Sequence, residues 1–320
     1  MESSKIIDSF LGFCVADALG VPVEFRDREQ MKQNLVTNMR EYGTHQQPAG
    51  TWSDDSSMAF CLAESLCKGY DLHDIANNFV KWYEHGFWAA HGKVFDIGIA
   101  TAHALKRVKN GTNPLLSGGI TERDNGNGSL MRILPLIFYI KDKDIKTRYE
   151  LVAEVSSITH AHIRAILGCF IYTEFALQLL AGQEKRQAYK NMQIIVNDFI
   201  QKFEICSSAE LNKYYRILEN PIQDVEIKDI EEYEEHRIYS SGYVVSTLEA
   251  SIWCFLKTEN YADAVLKAVN LGSDTDTVGC VTGGLAGLYY GASTIPQEWI
   301  DVIARKEDII NLAENFAKAV

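Results

Sequence analysis

Apolar residues recur along this chain at helical spacing, which restricts it to folds built by packing helix on helix. Leu72, Ile75 and Phe79 mark one such stripe; Val245, Leu248, Ile252 and Phe255 mark another, and Ile309, Leu312, Phe316 and Val320 a third. Ile163, Ile166, Leu167 and Phe170 predict a further helix, with Gly182 placed to stop it. Pro296, following Ser293 and Thr294, reads as a helix start. No series of segments alternates apolar and polar residues as a sheet requires. The expectation is an all-α protein. Typical helices of about 11–12 residues put roughly ten or more of them into 320 residues, in one domain spanning 1–320. Glycine clusters at Gly126 and Gly128 and at Gly283, Gly284 and Gly287 read as separators between helices.

Composition narrows the function classes. The chain carries a net charge of −12, so it lacks the basic balance by which proteins neutralise nucleic-acid phosphates. Seven cysteines, an odd number without a CxxC pair, read as buried, reduced thiols of a cytoplasmic protein. The apolar stretch from Ile6 to Leu19 is interrupted by Asp8 and Asp17, and no run reaches the roughly 20 apolar residues of a membrane span. No N-terminal signal is expected. The acid-rich stretch from Asp224 to Glu235 reads as a solvated surface.

Two short acidic segments point to chemistry. Trp52-Ser53-Asp54-Asp55-Ser56-Ser57 precedes an apolar helix, and Ser53 or Asp54 would cap it. Gly272-Ser273-Asp274-Thr275-Asp276-Thr277 opens an apolar, glycine-rich helix from Val278 to Tyr290. Capping alone explains one acid at a helix start. It explains two acids among hydroxyl residues less well, because adjacent carboxylates repel unless a cation lies between them. Such oxygen donors suit Mg²⁺, Mn²⁺ or Ca²⁺ rather than zinc. If the two segments met, their four carboxylates would call for two divalent ions.

A third segment, Asp124-Asn125-Gly126-Asn127-Gly128-Ser129-Leu130-Met131-Arg132, reads as a small-residue loop running into a helix. Its backbone N–H groups would suit a pyrophosphate; a plain turn is the alternative. Phe95-Asp96-Ile97-Gly98 and Thr159-His160 place an acid and a histidine beside apolar runs, where capping or structural roles are common. Hydrolase and nucleotide-binding patterns such as GxSxG, HExxH and GxxxxGK[ST] do not occur.

Taken in order, these segments resemble the ADP-ribosylglycohydrolase family, which includes the dinitrogenase reductase-activating glycohydrolases. The resemblance runs through GFCVADALGVPVE at Gly12–Glu24, GTWSDDSSM at Gly50–Met58, FDIG at Phe95–Gly98 and NGNGSLMRILPL at Asn125–Leu136. It continues in SSGYVVSTLEASIWCF at Ser240–Phe255 and LGSDTDTVGCVTGGLAGLYYG at Leu271–Gly291, and is absent over 184–237, a variable peripheral segment. The resemblance implies a compact orthogonal multi-helix globule with a central dinuclear metal cleft for two divalent cations, Mg²⁺ foremost and Mn²⁺ as the alternative.

Matched position by position, Ser53, Asp54, Asp55, Asp274, Asp276 and Thr277 would ligate metal, with Asp276 between the ions. Glu24 and Asp96 would be the catalytic acids. Gly98, Asn125, Gly126, Asn127, Gly128, Ser129 and Met131 would contact the pyrophosphate and ribose, and His160 and Tyr243 the nucleotide end. Ala16 departs from a usual glycine, and Ser53 and Ser56 depart from common threonines; no carboxylate is lost.

The implied reaction cleaves the C1″ glycosidic bond of ADP-ribose attached to a protein side chain and releases ADP-ribose. The FDIG and SDDSS forms are closest to arginine-directed bacterial members. Serine, DNA-base and O-acetyl linkages, a two-metal nucleotide pyrophosphohydrolase and a non-enzymatic ADP-ribose binder are the alternatives. The ADP-ribosylated protein is the expected partner, with no membrane and with nucleic acid only as a modified base. The sequence does not specify an oligomeric state.

Overall fold

The computed structural model describes residues 2–220, 222, 225 and 227–320. Helices and short 3-10 turns account for the regular structure. The β-structure among the described residues is limited to isolated bridges, including Gly126 with Tyr243. The all-α expectation therefore holds, and most predicted boundaries fall where local chemistry placed them. Ser53 caps the helix Asp54–Leu66, its hydroxyl accepting from the N–H of Asp55, and both first-turn acids complement the helix dipole. The helix Ile163–Leu180 stops just before Gly182, which has φ +81°. Pro296 directly precedes the helix Gln297–Asp301.

The centre of the molecule is a pair of helices packed backbone to backbone. Glu2–Gly20 runs against Thr275–Tyr290. A methyl group at Gly283 would meet Gly12 O at 2.5 Å, and one at Gly287 would meet Asp8 O at 2.3 Å. One at Gly20 would lie 2.4 Å from the backbone of Asp276. Gly283, Gly284 and Gly287 therefore do not separate helices, as expected above. They lie inside one, where the missing side chains let two backbones approach. Ala16 belongs to the same interface, since its Cβ would be 2.4 Å from a Cβ at Gly283. Its departure from glycine concerns packing and leaves the acidic residues untouched.

The membrane reading needs correction on one point. Two helical segments, Ser4–Val23 and Ile163–Leu180, are long and apolar enough to span a bilayer by length and composition. Most of each is buried inside the protein, so their apolar surface is spent on the core. Asp8 and Asp17 do not break the first of them. All seven cysteines are free, and Cys67 and Cys206 are only half-buried. In the acid-rich stretch, Asp224 and Glu226 lie outside the described residues; Asp229 and Glu231 are bound to Lys190 and Arg186.

Candidate metal centre

The helix pair carries the acidic segments to one place. Asp17, on the N-terminal helix, points into the Ser53–Ser56 turn. It accepts from the N–H of Ser53 at 2.9 and 3.1 Å, from the N–H of Ser56 at 3.1 Å and from the hydroxyl of Ser56 at 2.5 Å. A buried carboxylate thus fixes the turn that presents Asp54 and Asp55. Burial pushes Asp17 up to about 6, against hydrogen bonds that favour its ionised form. Across the interface, Thr277 donates to Asp55 Oδ2 at 3.3 Å, and Ser53 donates to the same oxygen at 3.1 Å. The two acidic segments therefore meet, although most of the chain lies between them.

Glu24 is clipped to the second segment by backbone. The N–H of Phe25 donates to Ser273 O at 2.7 Å, and the N–H of Ser273 returns a bond to Arg26 O at 2.6 Å. Gly272 and Ser273 both adopt positive φ, 79° and 64°, which turns the chain sharply before the helix. As a result one carboxylate oxygen each from Glu24, Asp274 and Asp276 lie within 4.8 Å of one another. A second group, Glu24, His45 and Asp96, is equally tight, and His45 Nε2 is hydrogen-bonded to Glu24 Oε2. A third group, Glu122, His162 and Glu210, is different. Arg164 already lies among its acids, bonded to Glu122 at 2.6 Å and Glu210 at 2.8 Å.

A cleft of about 380 Å³ opens over these groups. Of the predicted site residues it exposes Glu24, Asp54, Asp55, Asp96, Gly98, Gly126, Asn127, Gly128, Met131, His160, Asp274 and Thr277. Ser53, Asn125, Ser129, Tyr243 and Asp276 do not line it. The Ser129 hydroxyl is turned into the core, accepting from Ser156 at 2.9 Å. The Tyr243 ring packs against the Arg164 guanidinium at 5.8 Å.

The glycine loop is held by its surroundings rather than by its own sequence. Asn127 N–H donates to Gly242 O and Val244 N–H to Asn125 O, at 3.0 and 3.1 Å. The Asn127 side chain bridges Asp274 at 2.7 Å and Thr247 at 2.8 Å, joining the loop to the acids. A methyl group on Gly128 would be 2.8 Å from the His160 ring, so that ring backs the loop directly. His160 accepts or donates at Nδ1 with the Thr159 hydroxyl, and burial brings its imidazole down to about 3. Arg132 lies wholly buried beneath, donating to Gly128 O at 3.0 Å and Val155 O at 3.3 Å, with its guanidinium 4.5 Å from the Phe79 ring.

The electrostatics follow from crowding. Burial, then the charges of neighbouring acids, raises Asp54, Asp55 and Asp276 well above the usual carboxylate range. Burial likewise raises Asp274 and brings Glu24 to about 7, opposed in Glu24 by the His45 bond. A site with this much mutual repulsion is built for positive charge.

Asp17, Phe25, His45, Arg123 and Arg132 were missed as site residues by the sequence reading. Asp17 had a signal, a single acid inside an apolar helix, and Arg132 closes the glycine segment. His45 and Phe25 reach the site only through tertiary contacts, and the sequence around them carries no such mark.

The ADP-ribosylglycohydrolase family model matches residues 2–320. The chain is 34% identical to the ADP-ribosylarginine hydrolase Tri1 of Pseudomonas putida (strain GB-1), over 96% of this chain and 76% of that protein. It is 25% identical to the ADP-ribosyl-[dinitrogen reductase] glycohydrolase of Rhodospirillum rubrum, over 94% of this chain and 91% of that one. A solved structure described as an ADP-ribosylglycohydrolase-related protein complex superposes with a TM-score of 0.80 at 29% identity, covering 99% of this chain and 98% of the other. The chain therefore belongs to the ADP-ribosylglycohydrolase family, and at the level of that family it is a hydrolase.

Proposed function

We propose that this protein hydrolyses the C1″ bond between ADP-ribose and an arginine side chain of a modified protein, in a cleft holding two divalent cations, Mg²⁺ or Mn²⁺. The observation that carries the reading is the meeting of the Asp54–Asp55 and Asp274–Asp276 segments beneath a cleft whose other wall is the glycine loop. The arginine linkage is supported by the Pseudomonas relative and by a Serratia proteamaculans (strain 568) relative, also named an ADP-ribosylarginine hydrolase, at 31% identity.

The residues fit divalent ions. Asp55 Oδ1 is buried without a hydrogen-bond partner, an acceptor that a hard cation would satisfy. Ser53, Asp54, Asp55, Asp274, Asp276 and Thr277 would hold the ions. When bound, they supply Lewis acidity and orient sugar hydroxyls.

The chain's own groups do the rest. The backbone N–H groups of Gly126, Gly128 and Ser129 receive the pyrophosphate, that of Asn127 being held by Gly242 O, and so an acidic protein can bind an anionic substrate. Gly98, Asn125 and Met131 shape the ribose path, and His160 and Tyr243 support the nucleotide end. Hydrolysis breaks the C1″–N bond and forms a C1″–O bond to water. Glu24 or Asp96 takes the proton from that water and returns it to the departing guanidine, so that ADP-ribose and a guanidinium leave. Positioning of the sugar by the surrounding groups lowers the barrier further.

The test is incubation with arginine-, serine- and DNA-linked ADP-ribose, each with and without chelator. Free ADP-ribose from the arginine linkage alone, abolished by chelator, is the expected result. Release of AMP instead would make the protein a pyrophosphohydrolase, and turnover undiminished in chelator would end the two-metal reading.

A further inference from the structure

Phe25 lines the cleft and offers no atom that ligates a metal. It directly follows the buried residues Val21, Pro22, Val23 and Glu24, yet 69% of its surface is exposed. Its backbone has φ 66°, in the left-handed region that bulky residues avoid. The conformation is imposed from both sides by the Phe25–Ser273 and Ser273–Arg26 backbone bonds described above. Those bonds aim the ring outward, next to Glu24, instead of letting it follow Val23 into the core.

The ring is also supported from behind. His45 packs against Phe25 with ring centroids 5.9 Å apart and against Phe95 at 5.2 Å, while its Nε2 holds Glu24. The Glu24, His45 and Asp96 side chains converge within 4.8 Å at this spot. Beyond its contact with His45, the exposed part of the ring gains nothing from the folded protein itself. It gains when a partner covers its face. Apart from His45, which covers the ring from behind, the adjoining groups are the carboxylates of Glu24 and Asp96, so the partner that fits the open face is a flat cation. An arginine guanidinium is weakly hydrated, stacks on aromatic faces and offers N–H donors along its edge.

We infer that Phe25 is a specificity-determining residue that stacks on the guanidinium of the ADP-ribosylated arginine, with Glu24 and Asp96 facing the N–H edge of that group. The inference rests on the arginine linkage proposed above and adds how the leaving group is selected. A serine-linked or ester-linked substrate presents no planar cation and would gain nothing from the ring.

The experiment compares wild type, Phe25→Ala and Phe25→Tyr on an arginine-ADP-ribosylated peptide with Mg²⁺ present, alongside calorimetric binding of free ADP-ribose. Loss of a stacked cation corresponds to about a tenfold change. Phe25→Ala should therefore raise KM about tenfold with kcat little altered. Phe25→Tyr should restore wild-type KM, and the ADP-ribose affinity should be equal in all three. An unchanged KM in Phe25→Ala would overturn the inference. So would an ADP-ribose affinity that weakens as much as KM rises, because the ring would then serve the nucleotide. If wild type itself releases no ADP-ribose from the arginine linkage, the proposed function fails, and this inference with it. If wild type is active and Phe25→Ala matches it, only the inference fails.

Discussion

Replacing Asp276 by asparagine should stabilise the metal-free protein and abolish its function, two effects of opposite sign from one charge. Asp276 is buried, and carboxylate oxygens of Glu24 and Asp274 lie within 4.8 Å of its own. Two full charges at that separation repel by about 3 kcal/mol at an effective dielectric of about 20. Burial first, and then the neighbouring carboxylates, raise the proton affinity of Asp276, so partial protonation already relieves some of this in the absence of cations. The amide should therefore recover only about 1–3 kcal/mol. No hydrogen bond need be lost, because the asparagine carbonyl can keep the bond that Asp276 Oδ1 accepts from Thr277 N–H at 2.9 Å.

For a chain of 320 residues, an unfolding entropy of about 2.1 cal/mol/K per residue makes each kcal/mol worth roughly 1.5 °C. The variant should then melt about 2–4 °C above wild type in chelator. With Mg²⁺ the order should invert. An ion at a hundredfold excess over its dissociation constant stabilises by about 2.7 kcal/mol, or roughly 4 °C per site, and the variant should lose most of that gain. Thermal melting with chelator and with a Mg²⁺ series, together with ADP-ribose release, gives both readouts. A chelated variant that melts at or below wild type, or one that keeps the full Mg²⁺ shift, would refute the view of this cluster as a repulsive cation site.

Three further outcomes are expected. Of Glu24→Gln and Asp96→Asn, the one that removes the proton-transferring group should lose about 10²–10⁴-fold in turnover, and both should still bind ADP-ribose, as measured by single-turnover kinetics and calorimetry. Gly20→Ala should destabilise by about 1–3 kcal/mol and lower the melting temperature, because its methyl group would lie 2.4 Å from the Asp276 backbone; an unchanged melting temperature would show that the helix pair can separate freely. His160 is held neutral by burial, with its folded value near 3, so the unfolded state binds the proton first as pH falls below about 6.5. Stability should drop by about 2 kcal/mol between pH 7 and pH 5 from this group alone, and the pH slope of denaturant unfolding should be correspondingly shallower in His160→Gln.

How far the sequence could be read depended on the range of the interactions involved. Helix starts and stops were legible because they are set within a few positions: the Ser53 hydroxyl reaches Asp55 N–H, and Gly182 takes a left-handed turn just past a helix. The acids of the two motifs stood out for the same reason, since carboxylates packed so closely at a helix start are hard to account for locally. The family's fold and activity at a coarse level came with those motifs.

Other features depended on contacts between residues far apart in the chain. The glycines of the last long helix looked like breaks until the N-terminal helix was laid against them, because a glycine marks a close approach only once its partner is known. Asp17 looked like an interruption in an apolar run until the Ser53–Ser56 turn was seen bonded to it. His45 and Phe25 carry no local pattern at all; Phe25 stands in the cleft because its backbone is clipped to Ser273, and His45 reaches Glu24 because Thr44 bonds to Pro22 O and Glu24 O. Periodicity and capping report the neighbours of a residue along the chain, whereas a site made from segments scattered along the whole chain is decided by packing.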